Sequence, residues 1–141
     1  MKKEISIRDI SGIKIGQSEN RAAGTGCTVF FSENGMRAGL DVRGGGPASR
    51  ESELLNPLAA AQFIHAVALA GGSAYGLGAA DGIMQYLEER NIGFEVGCGL
   101  RVPLVCQSDL FDLTVGDPHA RPDILPIHRR ADVRQHESGG N

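Results

Sequence analysis

The stretch from Phe63 to Leu87 constrains this chain more than any other. It opens with a nearly unbroken apolar run, Phe63 to Ala70, passes through Gly71-Gly72, and from Ser73 changes to a helical period. The run reads as a strand covered on both faces. Beyond it Leu77, Ala80, Ile83, Met84 and Leu87 fall on one helical face, with Asp81, Gln85, Glu88 and Glu89 largely on the other. The reading is strand, tight turn and a helix from Ser73 to about Arg90, with Ser73 as its N-cap. Gly71, Gly72, Gly76, Gly78 and Gly82 punctuate this unit, and an interior glycine costs a helix about 1 kcal/mol against alanine. Something must approach the backbone closely here.

A chain of 141 residues is the size of one domain, and 41% hydrophobic with 22% charged residues suits a globular protein. The formal charge of −3 gives no footprint for nucleic acid or anionic lipid, so neither partner is expected. The amino terminus has no apolar run behind Lys2 and Lys3, and no stretch is long enough to span a bilayer, which predicts a cytoplasmic protein. Cys27, Cys98 and Cys106 lack paired spacing and read as buried reduced thiols; no metal and no cofactor are expected.

Taken in order, Ile5, Ile7 and Ile10 bracket a short alternating segment. Residues 13–16 look like a piece of edge strand, and Gln17 to Thr25 a surface loop. Residues 27–31 read as a strand, and Asn34-Gly35 as a type I′ hairpin turn with residues 36–42 returning. A glycine-rich loop follows at Arg43 to Glu51, and a short helix is expected from Pro57. Asn91 or Gly93 suits the left-handed end of the central helix. Residues 92–96 and 100–105 read as strands, the second an edge or bulged one because of Pro103, and Leu110 to Gly116 as the last strand.

A hydrolase needs a nucleophile, a base and an oxyanion site. Ser73 has the strand-to-helix context of a nucleophile elbow, but the pattern lacks glycine two residues later, which favours the cap. His65, inside the apolar run, reads as a satisfied core histidine. Asp109, Asp112, Asp117 and Asp123 lack a calcium-loop pattern and read as solvated carboxylates. The loop Gly44-Gly45-Gly46 could present amides to an anion, yet neither a Walker lysine nor a complete dinucleotide fingerprint accompanies it. Tyr75, amid the glycines, either projects into the space they leave or fills a core gap. The residues alone therefore describe an α/β domain with a glycine-lined turn and no complete catalytic set.

Motifs in order carry a resemblance. They are Gly26-Cys27-Thr28-Val29, Ala38-Gly39-Leu40-Asp41-Val42-Arg43-Gly44-Gly45-Gly46-Pro47, Arg50-Glu51, Leu54-Leu55-Asn56-Pro57, His65-Ala66, the run Ala70 to Leu77, Ala80-Asp81-Gly82-Ile83, Val102-Pro103 and Leu110-Phe111-Asp112-Leu113. Together they resemble the amino-terminal half of the DmpA/BapA-type serine peptidases, which include L-aminopeptidase/D-esterases, β-peptidyl aminopeptidases and a nylon-oligomer hydrolase. The resemblance implies an α/β (α+β) fold forming part of a four-layer α-β-β-α sandwich. It also implies a precursor that cuts itself so that a new amino-terminal serine or threonine becomes the nucleophile, and homo-oligomers of the two-chain product.

The family's nucleophile lies in its carboxy-terminal half, so no catalytic residue is expected among these 141. Gly71, Gly72, Ser73, Tyr75 and Phe111 are the substrate-pocket candidates. Phe111 stands where the nylon-hydrolase branch carries a catalytic tyrosine, so that hydrogen bond is missing. The expected function is that of the amino-terminal part of a self-processing aminopeptidase, inactive alone, acting on peptides, amides or esters once completed by a carboxy-terminal half. A non-catalytic scaffold for a small ligand or a protein is the alternative. Residues 1–123 form the family-like portion. Residues 124–141, with His128, Arg129, Arg130, Arg134 and His136 and no regular period, read as a divergent, disordered tail of the kind a frameshift or premature stop leaves.

Overall fold

A computed structural model describes residues 4–121. Its strands are β1 (Lys14–Asn20), β2 (Thr25–Met36), β3 (Ser49–Arg50) and β4 (Ile64–Ala70). Helix α1 (Ala79–Glu88) follows, then β5 (Phe94–Gly97), β6 (Leu100–Val102) and β7 (Val105–Asp109). Five strands form one sheet in the order β1-β2-β4-β7-β3, and β5 and β6 form a separate ribbon. β4 and β7 run parallel and the other neighbours antiparallel. A parallel pair needs a long crossover, and α1 with the β5–β6 ribbon supplies it.

Alternation along the strands explains the packing. Val29 and Phe31 of β2, Ala66, Ala68 and Ala70 of β4, and Val105 of β7 share one sheet face and pack against Ala79, Ala80, Ile83 and Leu87 of α1. The three alanines let the helix close on the sheet, and burying Ile83 or Leu87 there is worth about 1.5–3 kcal/mol each. The helix ends as its sequence asks. Asn91 takes φ +56, its amide bonds the Glu88 carbonyl at 2.8 Å, and the Ile92 amide bonds the Leu87 carbonyl at 3.0 Å, with both Leu87 and Ile92 buried.

The opposite face is more open. Ile15, Phe30 and Val67 are half-buried on it and Leu69 is 39% exposed. The reading of β4 as covered on both faces is therefore corrected: among the described residues a second layer lies only over the alanine face.

Other expectations are corrected too. Asn34-Gly35 makes no hairpin, because β2 continues through it to Met36 by an irregularity after Phe31, with Gly35 at φ +77. Residues 37–48 are irregular, so the returning strand is absent. The two-residue hairpin is Cys98-Gly99 between β5 and β6, where both residues have positive φ as a type I′ turn requires. Cys98 is consequently exposed, whereas Cys27 and Cys106 are buried.

β1 extends to Asn20 through part of the expected loop. Ile7–Asp9 is a 3₁₀ turn capped by Ser6, so the alternating segment there is not extended. No helix starts at Pro57; a 3₁₀ turn, Ser52–Leu55, precedes it instead. Pro103 separates β6 from β7, which belong to different sheets, and Leu110 to Gly116 is loop and turn after β7. Ser73 does not cap a helix: a 3₁₀ turn spans Ser73–Gly78, and α1 starts only at Ala79. The expectations for residues 122–141 lie outside the described residues.

Candidate functional site

Because β4 and β7 are parallel, with Ala70 opposite Asp109, the chain leaves both at the same edge of the sheet. Loops at the carboxyl ends of parallel strands are where open α/β sheets form ligand crevices. Here β4 delivers Gly71, Gly72, Ser73 and Tyr75, and β7 delivers Leu110, Phe111 and Asp112. The structure thus brings all five sequence-predicted site residues to one edge.

The two loops are stitched together. The Leu110 amide donates to the Ala70 carbonyl at 2.8 Å, the Ser73 amide to the Leu110 carbonyl at 3.0 Å, and the Gly72 amide to Asp112 Oδ1 at 2.7 Å. The Gly71 amide bonds the Gly26 carbonyl at 2.9 Å. Three successive amides that an anion or an oxyanion would need are therefore engaged inside the protein. What approaches the glycines is the protein itself. A Cβ on Gly71 would overlap the Asp112 carboxylate and the Thr25 hydroxyl, and one on Gly76 would overlap the Gly71 carbonyl. Asp112 is thus a fastening carboxylate, not a solvated one.

Gly72 and Ser73 both take the left-handed conformation, at φ +94 and φ +54. For serine this costs about 1–3 kcal/mol, the kind of strain that collects at functional turns. The turn has the sharpness of a nucleophile elbow, but among the described residues no base is bonded to Ser73. His65 sits at the other end of β4, where its Nδ1 accepts the Leu104 amide at 3.2 Å. That is the satisfied core histidine expected from the sequence; burial, and next the charge of Arg101, hold its pKa below the ordinary value.

Tyr75 projects outward, 67% exposed, with the Arg121 guanidinium 4.2 Å from its ring centre, so it fills no core gap. Phe111 is 69% exposed. Beneath the turn, Gln107 donates to the Gly76 carbonyl at 2.7 Å and to Asp109 Oδ1 at 2.6 Å. Asp109 Oδ2, Gln107 Oε1 and Thr25 Oγ1 are buried without a hydrogen-bond partner among the described residues. Burial raises the Asp109 pKa, against the lowering effect of the Gln107 bond. Burial, helped by Asp109, also pushes the Cys27 thiol up to about 11, so it is no thiolate nucleophile at neutral pH.

Arg50 of β3 holds the following turn to the helix, pairing with Asp81 at 2.6 Å. The Gly44–Gly46 loop is exposed and irregular. Among the described residues no group of three or more His, Cys, Asp or Glu side chains could hold a metal, and no helix is long and apolar enough to cross a membrane.

Asp112, Gln107, Thr25 and Arg121 were not singled out from the sequence as members of this site. The first lies forty residues from the amide it accepts. The parallel pairing of β4 with β7 brings Gln107 and Asp112 to the turn, the antiparallel pairing of β2 with β4 brings Thr25, and no local spacing announces either.

Comparison with known proteins adds a family. The model of peptidase family S58 matches residues 6–140, continuing past Asp123 where the sequence reading ends its resemblance. Over 125 residues the chain is 46% identical to an uncharacterized aminopeptidase of Mycobacterium leprae (strain TN), covering 83% of this chain and 34% of that protein. An uncharacterized aminopeptidase of Mycobacterium tuberculosis (strain ATCC 25618 / H37Rv) is 42% identical over 125 residues, covering 83% and 36% respectively. A 6-aminohexanoate-oligomer endohydrolase of Paenarthrobacter ureafaciens is 30% identical over 119 residues, covering 82% and 30%. The chain spans about a third of the length of these relatives.

Proposed function

The chain belongs to peptidase family S58, the DmpA-type aminopeptidases, and we propose that it forms the amino-terminal part of a self-processing aminopeptidase, supplying a wall of the substrate site but not the attacking group. The observation that carries this reading is the stitched edge of β4 and β7. It presents Tyr75 and Phe111 outward on a rigid support, while the amides of Gly71, Gly72 and Ser73 are occupied internally and His65 lies at the far end of β4. Such an edge can position a substrate; among the described residues no base is bonded to Ser73, and the Gly71, Gly72 and Ser73 amides are not free for an oxyanion. The nucleophile is then an amino-terminal serine or threonine freed in the family's carboxy-terminal part, which uses a nearby amine as its base.

In the same reading the open sheet face packs against a second sheet in a four-layer sandwich, the two-part units form homo-oligomers, and the protein works in the cytoplasm. Substrates are peptides, amides or esters with a free amino terminus. The division after Asp123 belongs to this proposal as well, and the family match that runs on to residue 140 counts against a tail foreign to the family. Reading the coding DNA past Asp123 in all three frames decides it.

The test is hydrolysis of amino-acid amides, esters and short peptides by the 141-residue chain, alone and co-expressed with the carboxy-terminal part of a family member. Turnover is expected only from the combination. Turnover by the chain alone would overturn the assignment of the nucleophile elsewhere. Binding without turnover in either case would favour the non-catalytic scaffold.

A further inference from the structure

The carboxyl edge of the sheet carries a cation that the aminopeptidase reading leaves unused. The Arg121 guanidinium stacks on the Tyr75 ring at 4.2 Å, and its Nη1 donates to the Pro118 and Ala120 carbonyls. These contacts fix the plane of the guanidinium and leave Nε and Nη2 without a partner among the described residues. The nearby acids are engaged elsewhere: Asp112 takes the Gly72 amide, and Asp117 accepts the His119 amide at 2.8 Å. Arg121 has no carboxylate partner among the described residues, in contrast to Arg50, which is paired with Asp81.

The loop between β7 and Arg121 exposes three apolar side chains, Leu110 at 61%, Phe111 at 69% and Val115 at 73%, beside the polar Thr114, Asp117 and His119. An oriented guanidinium fork matches the two oxygens of a carboxylate, and its stacking on an aromatic ring reduces the freedom lost on binding. The three apolar side chains suit a ligand that is otherwise hydrophobic. A polyanion would need further cations, and the chain's net charge of −3 offers no such field.

We infer that Arg121, seated on Tyr75, recognises the terminal carboxylate of a short apolar peptide. This rests on the aminopeptidase reading and narrows it, because a carboxylate held at the rim of the site selects peptides of a few residues over long chains and over amides.

The experiment titrates the 141-residue chain with leucyl-phenylalanine and, separately, with leucyl-phenylalanine amide at low ionic strength, following the Tyr75 ring signals by NMR. The free acid is expected to bind about tenfold more tightly than the amide, in keeping with one charge-assisted pair at a partly exposed site. Added salt should shrink that ratio. In Arg121→Gln it should fall to about twofold or less, with Arg121→Lys intermediate, since the ammonium keeps the charge but loses the fork. Circular dichroism checks that each variant is folded. Equal binding of acid and amide by the wild-type chain, failure of both to bind, or discrimination that survives Arg121→Gln would each overturn the inference. Hydrolysis by the chain combined with its carboxy-terminal part is scored separately. Discrimination without hydrolysis supports the carboxylate site and counts against the aminopeptidase reading alone.

Discussion

Asp112 Oδ1 accepts the amide of Gly72 at 2.7 Å, and its carboxylate lies against the α-carbon side of Gly71, where a side chain would otherwise be. A single acid thus sets the shape of the turn after β4 from the loop after β7. Asp112→Ala should destabilise the chain by about 1.5–3 kcal/mol, the range for a hydrogen bond to a charged group, read as a lower urea midpoint with unchanged slope. Asp112→Asn keeps an acceptor and should cost less. Gly71→Ala forces overlap with the same carboxylate and should cost about 1–3 kcal/mol. Because the two changes share one contact, Gly71→Ala combined with Asp112→Ala should cost less than the sum. Strict additivity would show that the carboxylate does not set the turn.

Ser73 is held at φ +54 as the first residue of the Ser73–Gly78 turn. Glycine adopts this conformation freely but loses more entropy on folding, so the two effects partly cancel. Ser73→Gly is expected to raise stability by about 0.5–1 kcal/mol, and Ser73→Ala, equally strained, to leave it unchanged. Thermal unfolding of the three proteins distinguishes them. In the combined enzyme Ser73→Gly should keep measurable turnover, and its abolition would make Ser73 the attacking group after all.

Legibility from sequence followed the range of the contacts. β4, α1 and the left-handed Asn91 are local: an unbroken apolar run, a 3.6-residue stripe and a residue tolerant of positive φ at its end. The hairpin at Asn34-Gly35 failed because turn chemistry is permissive rather than compulsory. β2 gains more by continuing to Met36, opposite Ile64, than by folding back on residues 36–42. Residues 105–109 were hidden for another reason. Their alternation is broken by buried Cys106 and Gln107, and Gln107 is tolerated there only because Gly76 and Asp109 accept its amide. The five candidate residues stand out in the sequence through their glycine context and family pattern, whereas Asp112 and Arg121 reach the same edge only in the folded chain and leave no local mark.

His65 gives a pH dependence whose sign follows from its depressed pKa. The unfolded imidazole, near its ordinary value of about 6.5, binds protons that the folded one refuses. The contribution is fully present above that value and is lost as pH falls through the folded pKa, when protonation of Nδ1 also ejects the Leu104 amide. Stability should therefore decline from pH 7 toward pH 5. His65→Gln, which retains an acceptor but does not titrate, should flatten that slope in urea midpoints measured across the range. An unchanged slope would place the titrating group elsewhere.

The last expectation concerns the sheet face away from α1. Ile15, Phe30, Val67 and Leu69 share it, and β4 is as apolar toward that side as a strand meant for burial. If this face meets a second sheet in the working enzyme, the 141-residue chain by itself should bind a hydrophobic dye and self-associate with rising concentration. Leu69, already 39% exposed, can be tested without opening the core. Leu69→Lys should change the stability of the isolated chain by no more than about 0.5 kcal/mol, as for a surface position. It should nonetheless reduce dye binding and weaken assembly with the carboxy-terminal part, because a lysine at that contact would be buried unpaired. A wild-type chain that stays monomeric, melts cooperatively and binds no dye would show that this face needs no cover, and Leu69→Lys would then leave assembly untouched.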